Sequence, residues 1–296
     1  MQQRLTRSLH RIASQRLLYI KPEAEEDPNQ VDAPWECDVK VGQQPIERLT
    51  RARVADLYQR RDINGRLLIL GDPGTGKTTA LLKLAEALVD RAQVGNPIPV
   101  LLNLSTWKQD DWDLEPWLAA ELKVKYGVRA DIGKQWVSDD KKIIPLLDGL
   151  DELAGDRQER CVERINQFLQ PGRWSGSLVV CSRTKEYQRY ATRLGLNGSL
   201  TLQPWSAPTI HEYALRVADG PQLWHSIEAD PLLLQGDPDD PDAIGLAQIP
   251  LLLNILALAY QSISFPQWQL AGLASRTPSL SIRYLQPSHV GTQVQR

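Results

Sequence analysis

The stretch Leu67–Thr79, LLILGDPGTGKTT, constrains this chain more than any other. Its four apolar residues, Leu67 to Leu70, predict a short buried strand that runs into Gly71-Asp72-Pro73-Gly74-Thr75-Gly76-Lys77-Thr78, a fit to the pattern G-x-x-x-x-G-K-[ST]. The following TALLKLAEALVDRA has Leu81, Leu82, Leu84, Ala85, Leu88 and Val89 at helical spacing, so the glycines sit between a strand and a helix N-terminus. Glycines at 71, 74 and 76 remove the Cβ atoms that would stop a backbone from curling round a polyphosphate, and the exposed amides add to the positive end of the helix dipole. Lys77 is expected to neutralise the outer phosphates and Thr78 to ligate a magnesium ion bridging them. The expected nucleotide-binding set is therefore Gly71, Asp72, Pro73, Gly74, Thr75, Gly76, Lys77, Thr78 and Thr79.

A chain of 296 residues can bury a sizeable core. Its net charge of -2 gives no global reason to expect nucleic acid as a partner, since counterion release needs clustered Lys and Arg. Cys37, Cys161 and Cys181 have no C-x-x-C spacing, and His10, His211, His225 and His289 are scattered, so neither a disulfide framework nor a His/Cys metal site is expected. The expected compartment is reducing and cytoplasmic. The longest apolar run, Ile249 to Tyr260, is shorter than the roughly 18 residues of a membrane span and reads as a core helix. The first twenty residues carry Arg4, Arg7, Arg11 and Arg16 beside Leu5, Leu9, Ile12 and Leu17, the pattern of a basic amphipathic helix that would pack on another domain or a partner protein. A transit peptide is the other reading of that composition.

From Lys21 to Gln44 the composition predicts a linker or extended arm, and Ile46 to Arg60 a helix leading into the loop strand. Ile98 to Leu104, Lys142 to Leu150, Ser177 to Ser182 and Ser199 to Leu202 supply four further strands. Between them, Leu114, Trp117, Leu118 and Leu122 mark one helical face, and Trp107, Trp112 and Trp117 read as packing residues. Apolar strands alternating with helices describe an α/β fold with a parallel sheet covered on both faces, whose strand ends converge beside the loop.

Asp148 closes the third strand where it can hold magnesium through water, opposite Thr78. Asp151 and Glu152 follow near the place of an attacking water, and Glu152 is the first choice for a general base, with Asp151 behind it and helix capping as the alternative for both. Arg183, off the fourth strand, can reach a terminal phosphate or orient the acids; a purely structural arginine is the other reading. The acidic run Asp237 to Asp242 lacks the glycine and glutamate of a calcium loop and reads as solvated.

In order, GDPGTGKTT, PLLDGLDEL, VVCSRTKEY, LQPWSAPTIHEYALR and QIPLLLNILALAYQ resemble the NACHT family of signal-transduction NTPases with numerous domains, in its bacterial, cyanobacterial-like form. The resemblance covers about Ile46 to Gln261, and the paired-acid DGLDE is its most specific element. It implies a P-loop NTPase with a five-stranded parallel sheet in the order 5-1-4-3-2, followed by a small helical domain. It implies ATP/ADP and Mg2+ as cofactors, ATP or GTP as substrate, slow hydrolysis, and nucleotide-dependent self-association. It also implies that Pro250, opening an apolar helix, packs near the adenine; Pro231, in Asp230-Pro231-Leu232-Leu233, is a competing match. The expected segments are 1–45, a basic helix and linker; 46–208, the nucleotide domain; 209–262, the helical domain; and 263–296, a disordered tail. Family members normally continue into a winged-helix domain and a repeat sensor, and no repeat period is visible here, so the sensor is expected to be absent, encoded elsewhere or lost through truncation. The rival functional classes are a remodelling ATPase motor and a non-catalytic nucleotide-binding fragment.

Overall fold

The computed structural model describes residues 35–42, 44–108, 113–138, 142–217, 219–240 and 243–262. The basic N-terminal segment, Trp112 and the tail after 262 lie outside these residues.

Five strands form the parallel part of the sheet: β3 (Arg66–Gly71), β4 (Ile98–Asn103), β5 (Ile143–Asp148), β6 (Leu178–Ser182) and β7 (Gly198–Leu202). Leu67 to Leu70 and Leu178 to Ser182 are buried without interruption, as expected of strands covered on both faces. The sheet as a whole differs from the five-stranded expectation. It has seven strands in the order β2-β1-β7-β3-β6-β5-β4, because β1 (Trp35–Val41) and β2 (Glu47–Ala52) add an antiparallel hairpin beyond β7.

That hairpin corrects two expectations. The supposed linker holds β1, in which Cys37, Val39 and Val41 are buried while Asp38 and Lys40 alternate with them; the acidic and Gln-rich surroundings hide this period of two. The supposed helix from Ile46 divides into β2 and a short α1 (Val54–Gln59) at Arg53, whose backbone is extended. Ile46 is exposed, so the apparent helical stripe is not one face: Leu49 packs on the core from β2, and Val54, Leu57 and Tyr58 from α1.

Helices cover both faces. Behind α2 (Lys77–Asp90), Leu81 and Leu84 pack with Leu67, Ile69, Val39 and Leu200. On the other face α3 (Leu114–Tyr126), α4 (Ala130–Ser138), α5 (Gly155–Phe168) and α6 (Thr184–Arg189) bury Trp117, Leu118, Val137, Ile165, Phe168 and Tyr187 with Trp107 and Trp174, so both described tryptophans of the expected set are packing residues. All three cysteines are buried and free. After β7 the chain becomes helical: α7 (Ala207–Ala214), α8 (Gly220–Ala229), α9 (Pro231–Leu234) and α10 (Pro250–Ser262) share a separate core of Trp205, Ile210, Leu223, Ile227 and Leu253. The core-helix expectation holds for only one side of α10, since Leu251, Ile255 and Leu258 are exposed. Asp237, Asp239 and Asp240 are exposed, as a solvated loop requires. Among the described residues no helix is long and apolar enough to cross a membrane.

Candidate functional site

The loop after β3 is shaped by its glycines and by one buried hydroxyl. Gly74 and Gly76 have φ of 80° and 95°, and Gly76 is the residue from which α2 starts. Thr75 is buried, and its Oγ1 donates to the Asp72 carbonyl at 2.8 Å. A Cβ on Gly71 would come within 2.5 Å of that same Oγ1, so glycine there lets the loop close on itself. Lys77 folds back over the loop, its Nζ donating to the carbonyls of Gly71 (2.8 Å) and Asp72 (3.0 Å). Burial lowers the Lys77 pKa, and the nearby carboxylates of Asp151 and Asp148 oppose that shift.

Parallel pairing brings the acids to this loop. Thr78, in the first turn of α2, donates from Oγ1 to Asp148 Oδ2 at 2.7 Å, the contact expected of a hydroxyl and carboxylate that would share a cation. Burial raises the Asp148 pKa; the Thr78 hydrogen bond acts against this and the Glu152 charge adds to it. Among the described residues no group of three His, Cys, Asp or Glu side chains could hold a metal. Hydroxyl and carboxylate oxygens such as those of Thr78 and Asp148 are the donor type that suits a hard ion such as Mg2+, which takes further ligands from phosphate and water.

Gly149 then turns the chain at φ 77° into a short 3-10 turn, Leu150–Glu152. Within that turn the two acids have different surroundings. Asp151 is clamped by Arg183, which donates from Nε to Oδ2 (2.8 Å) and from its backbone N–H to Oδ1 (3.0 Å); the carboxylate side chain is 6% exposed and the arginine 44%. Glu152 is exposed, and its Oε2 accepts from Asn103 Nδ2 at 3.2 Å. Neither caps the next helix: α5 begins after Ala154 and has no side-chain cap. Of the site acids Arg183 thus contacts Asp151, with Glu186 3.8 Å from its Nη1.

Asn103 was not among the sequence candidates. It ends β4 opposite Asp148 in the parallel register, and its Oδ1 accepts from the Ser105 N–H at 2.7 Å, which fixes the amide that reaches Glu152. A Cβ on Gly149 would come within 2.8 Å of Glu152 Oε2 and 3.2 Å of Asn103 Oδ1, so this glycine admits the pair. The available signal was positional: Asn103 is the first polar residue after an apolar strand, as Asp148 is.

Pro250 opens α10 between two residues that touch the loop. The Leu251 N–H donates to the Gly74 carbonyl at 3.2 Å, and a Cβ on Gly74 would lie 2.8 Å from Ile249 Cγ2. Pro231 instead opens α9, where the Asp230 side chain accepts from Leu232 N–H. Of the two prolines, Pro250 is the one flanked by contacts to the loop. Thr79 is exposed one residue further along α2.

Compared with known proteins, the chain matches no family model and no curated sequence. Among solved structures it is similar to Cdc6p from Pyrobaculum aerophilum, at 17% identity and a TM-score of 0.45, over 71% of this chain and 59% of that one. It is also similar to the Aeropyrum pernix Orc1 protein in complex with DNA (17% identity, TM-score 0.41, 72% and 59% covered). A third is the Aeropyrum pernix ORC2 protein in its ADP form (15%, 0.36, 58% and 54%). The aligned part thus spans under two thirds of each of those chains. The strand, glycine loop, helix and opposing Asp148 give this chain the α/β fold of a P-loop nucleotide-binding domain on its own geometry. None of the comparisons assigns it to the NACHT family in particular, and none supports the exclusion of nucleic acid.

Proposed function

We propose that this chain binds and slowly hydrolyses ATP or GTP with Mg2+, and that its diphosphate and triphosphate states differ in self-association, as in a NACHT-type signalling switch. The observation that carries the reading is the 2.7 Å contact of Thr78 with Asp148 at the mouth of a loop whose amides and lysine suit phosphate. The loop amides and Lys77 hold the β- and γ-phosphates. Thr78 and Asp148 hold the ion, which supplies charge neutralisation at the phosphates when bound. Glu152 takes the proton of the attacking water, since it is exposed and has no ion pair among the described residues, whereas Asp151 is committed to Arg183. Arg183 exchanges that partner for the terminal phosphate, and so reports which nucleotide is present. Pro250 covers the base, a role supported by the contacts of its neighbours Ile249 and Leu251 with the loop.

A remodelling ATPase would use the same residues with sustained turnover, and a degraded fragment would bind without turning over. Equilibrium titration of the purified chain with ATP tests the common core of these readings. Lys77→Ala is expected to abolish measurable binding, because the loop amides alone cannot balance the phosphate charge. Undiminished affinity in that variant removes the loop from the site.

A further inference from the structure

Helix α10 is apolar on two sides. Leu253, Ala257 and Tyr260 are buried in the helical core, whereas Leu251, Ile255 and Leu258 form a second row at spacings of four and three, each more than half exposed. With Leu232 on α9 and Ile244 and Leu246 just before α10, six of the ten large apolar side chains exposed among the described residues fall between 232 and 258. Such a concentration marks a surface that something covers. The charge around it narrows what that can be. Residues 203–262 hold eight Asp and Glu against one Lys or Arg, Arg216, which is itself ion-paired with Glu212. A second copy of this surface would meet like charge, and so would a nucleic acid or an anionic membrane.

The N-terminal segment of the chain, outside the described residues, has the opposite character. Residues 1–21 hold four Arg and one Lys and no acid, and Leu5, Leu9 and Ile12 repeat the four-and-three spacing of Leu251, Ile255 and Leu258. On a helix, Arg4 and Arg11 would flank that row. The fold also delivers this segment to the right place. Because β1 runs antiparallel to β7, its first residues stand at the sheet edge where β7 ends and the glycine loop begins: Cys37 lies opposite Leu202, and Leu202 opposite Gly71. From that edge the chain passes directly to the helical part. Gln203 Nε2 donates to Asp38 Oδ2 at 3.1 Å, and the Trp205 N–H donates at 2.8 Å to the carbonyl of Gln248, two residues before Pro250. Residue 35 thus enters beside the start of α10. Residues 18–34 can span up to about 60 Å, well beyond the length of α10, about 20 Å.

We propose that residues 4–17 dock as an amphipathic helix on the exposed side of α10 in the same molecule, with Leu5, Leu9 and Ile12 against Leu251, Ile255 and Leu258 and the arginines over the acidic helical part. Two rows of the same four-and-three spacing suit side-by-side packing at a shallow crossing angle. The docked segment covers the helix whose Leu251 N–H meets the glycine loop at Gly74, so α10 joins the N-terminal segment to the loop. Docking asks nothing of the nucleotide site and stands whether or not the chain hydrolyses a nucleotide.

The test is cross-linking of the full chain with a short bismaleimide, for which the three buried native cysteines do not compete. Ser8→Cys borders the N-terminal row without removing an apolar residue, and Ile255→Cys lies in the middle of the α10 row. Val94→Cys, exposed at the opposite edge of the sheet, is the control partner, since residues 18–34 are long enough to reach either edge. The Ser8/Ile255 pair should give cross-linked monomer at a rate independent of dilution and about tenfold above that of the Ser8/Val94 pair. Equal rates for the two pairs, or cross-linked dimer in place of monomer, overturn the proposal. Arg4→Glu combined with Arg11→Glu should slow the Ser8/Ile255 reaction about tenfold, and a rate indifferent to that reversal overturns it too. Amide exchange needs no cysteine. In the parent, residues 4–17 should be protected, and Ile255→Asp should speed their exchange about tenfold or more while β3 to β7 keep their protection. Rapid exchange of residues 4–17 in the parent, or protection that Ile255→Asp leaves unchanged, overturns the proposal.

Discussion

Asp148 shows how a candidate site residue can work against the fold that carries it. Burial raises its pKa, and the Thr78 hydrogen bond only partly offsets that effect. A carboxyl with a higher pKa in the folded chain than in the unfolded one binds its proton more tightly when folded. Stability therefore falls as pH rises through the window between the unfolded and folded values, and the full cost is present above that window. At neutral pH Asp148→Asn removes this cost while still accepting from Thr78 Oγ1, so the nucleotide-free variant should melt at a higher temperature than the parent. Magnesium-dependent nucleotide affinity should instead drop, by about 10–100-fold if the carboxylate holds the ion through water. Scanning calorimetry and titration with and without Mg2+ check the two halves; a lower melting temperature contradicts the assignment of the burial cost to Asp148. Lys77, Thr78, Asp148, Glu152 and Arg183 were legible as site candidates because each follows a readable strand or motif. Asn103 follows an apolar run as well, but what marks it is its contact with Glu152 in the turn after β5, and only the β4–β5 register brings the two together.

At the scale of elements, the central parallel strands were legible for the reason that they are buried on both faces: Ile143 to Leu147 and Leu178 to Cys181 are apolar runs bounded by polar residues. The hairpin β1–β2 was not, because a strand covered on one face shows only alternation, and Cys37, Val39 and Val41 alternate within a polar, acidic stretch. Its pairing to β7, from Cys37 opposite Leu202 to Val41 opposite Gly198, makes it a structural part of the central sheet rather than an arm. Val39 is 1% exposed among Ile69, Leu200 and Leu202. Val39→Ala is therefore expected to destabilise the chain by about 2 kcal/mol through lost burial and a residual cavity. In a domain of this size that lowers the melting temperature by about 4–8 °C. Denaturant titration measures the change directly, and an unaffected midpoint would return residues 35–41 to the status of a linker.

For the whole molecule the question is whether the nucleotide state reaches beyond the site. The helical part has a direct route, since α10 meets the loop through Leu251 N–H and Ile249 and presents Leu251, Ile255 and Leu258 on its exposed side. A shift of the loop when phosphate replaces the Lys77 contacts to Gly71 and Asp72 would thus move a helix bearing an apolar surface. Glu152→Gln separates binding from hydrolysis in this scheme. The amide oxygen still accepts from Asn103 Nδ2, so the turn keeps its shape, but the proton acceptor is gone. ATP should bind as in the parent while single-turnover hydrolysis falls by about 10²-fold or more. Trapped with triphosphate, this variant should show the larger assembly by light scattering, and Lys77→Ala the smaller one at every nucleotide concentration. Hydrolysis at the parental rate removes Glu152 as the base and leaves Asp151, released by Arg183, as the remaining acid of the pair. If hydrolysis is lost yet no nucleotide changes the assembly of any variant, the site is an NTPase site without a switch. Multiple-turnover rates of the parent then separate a motor from a fragment that only retains its nucleotide.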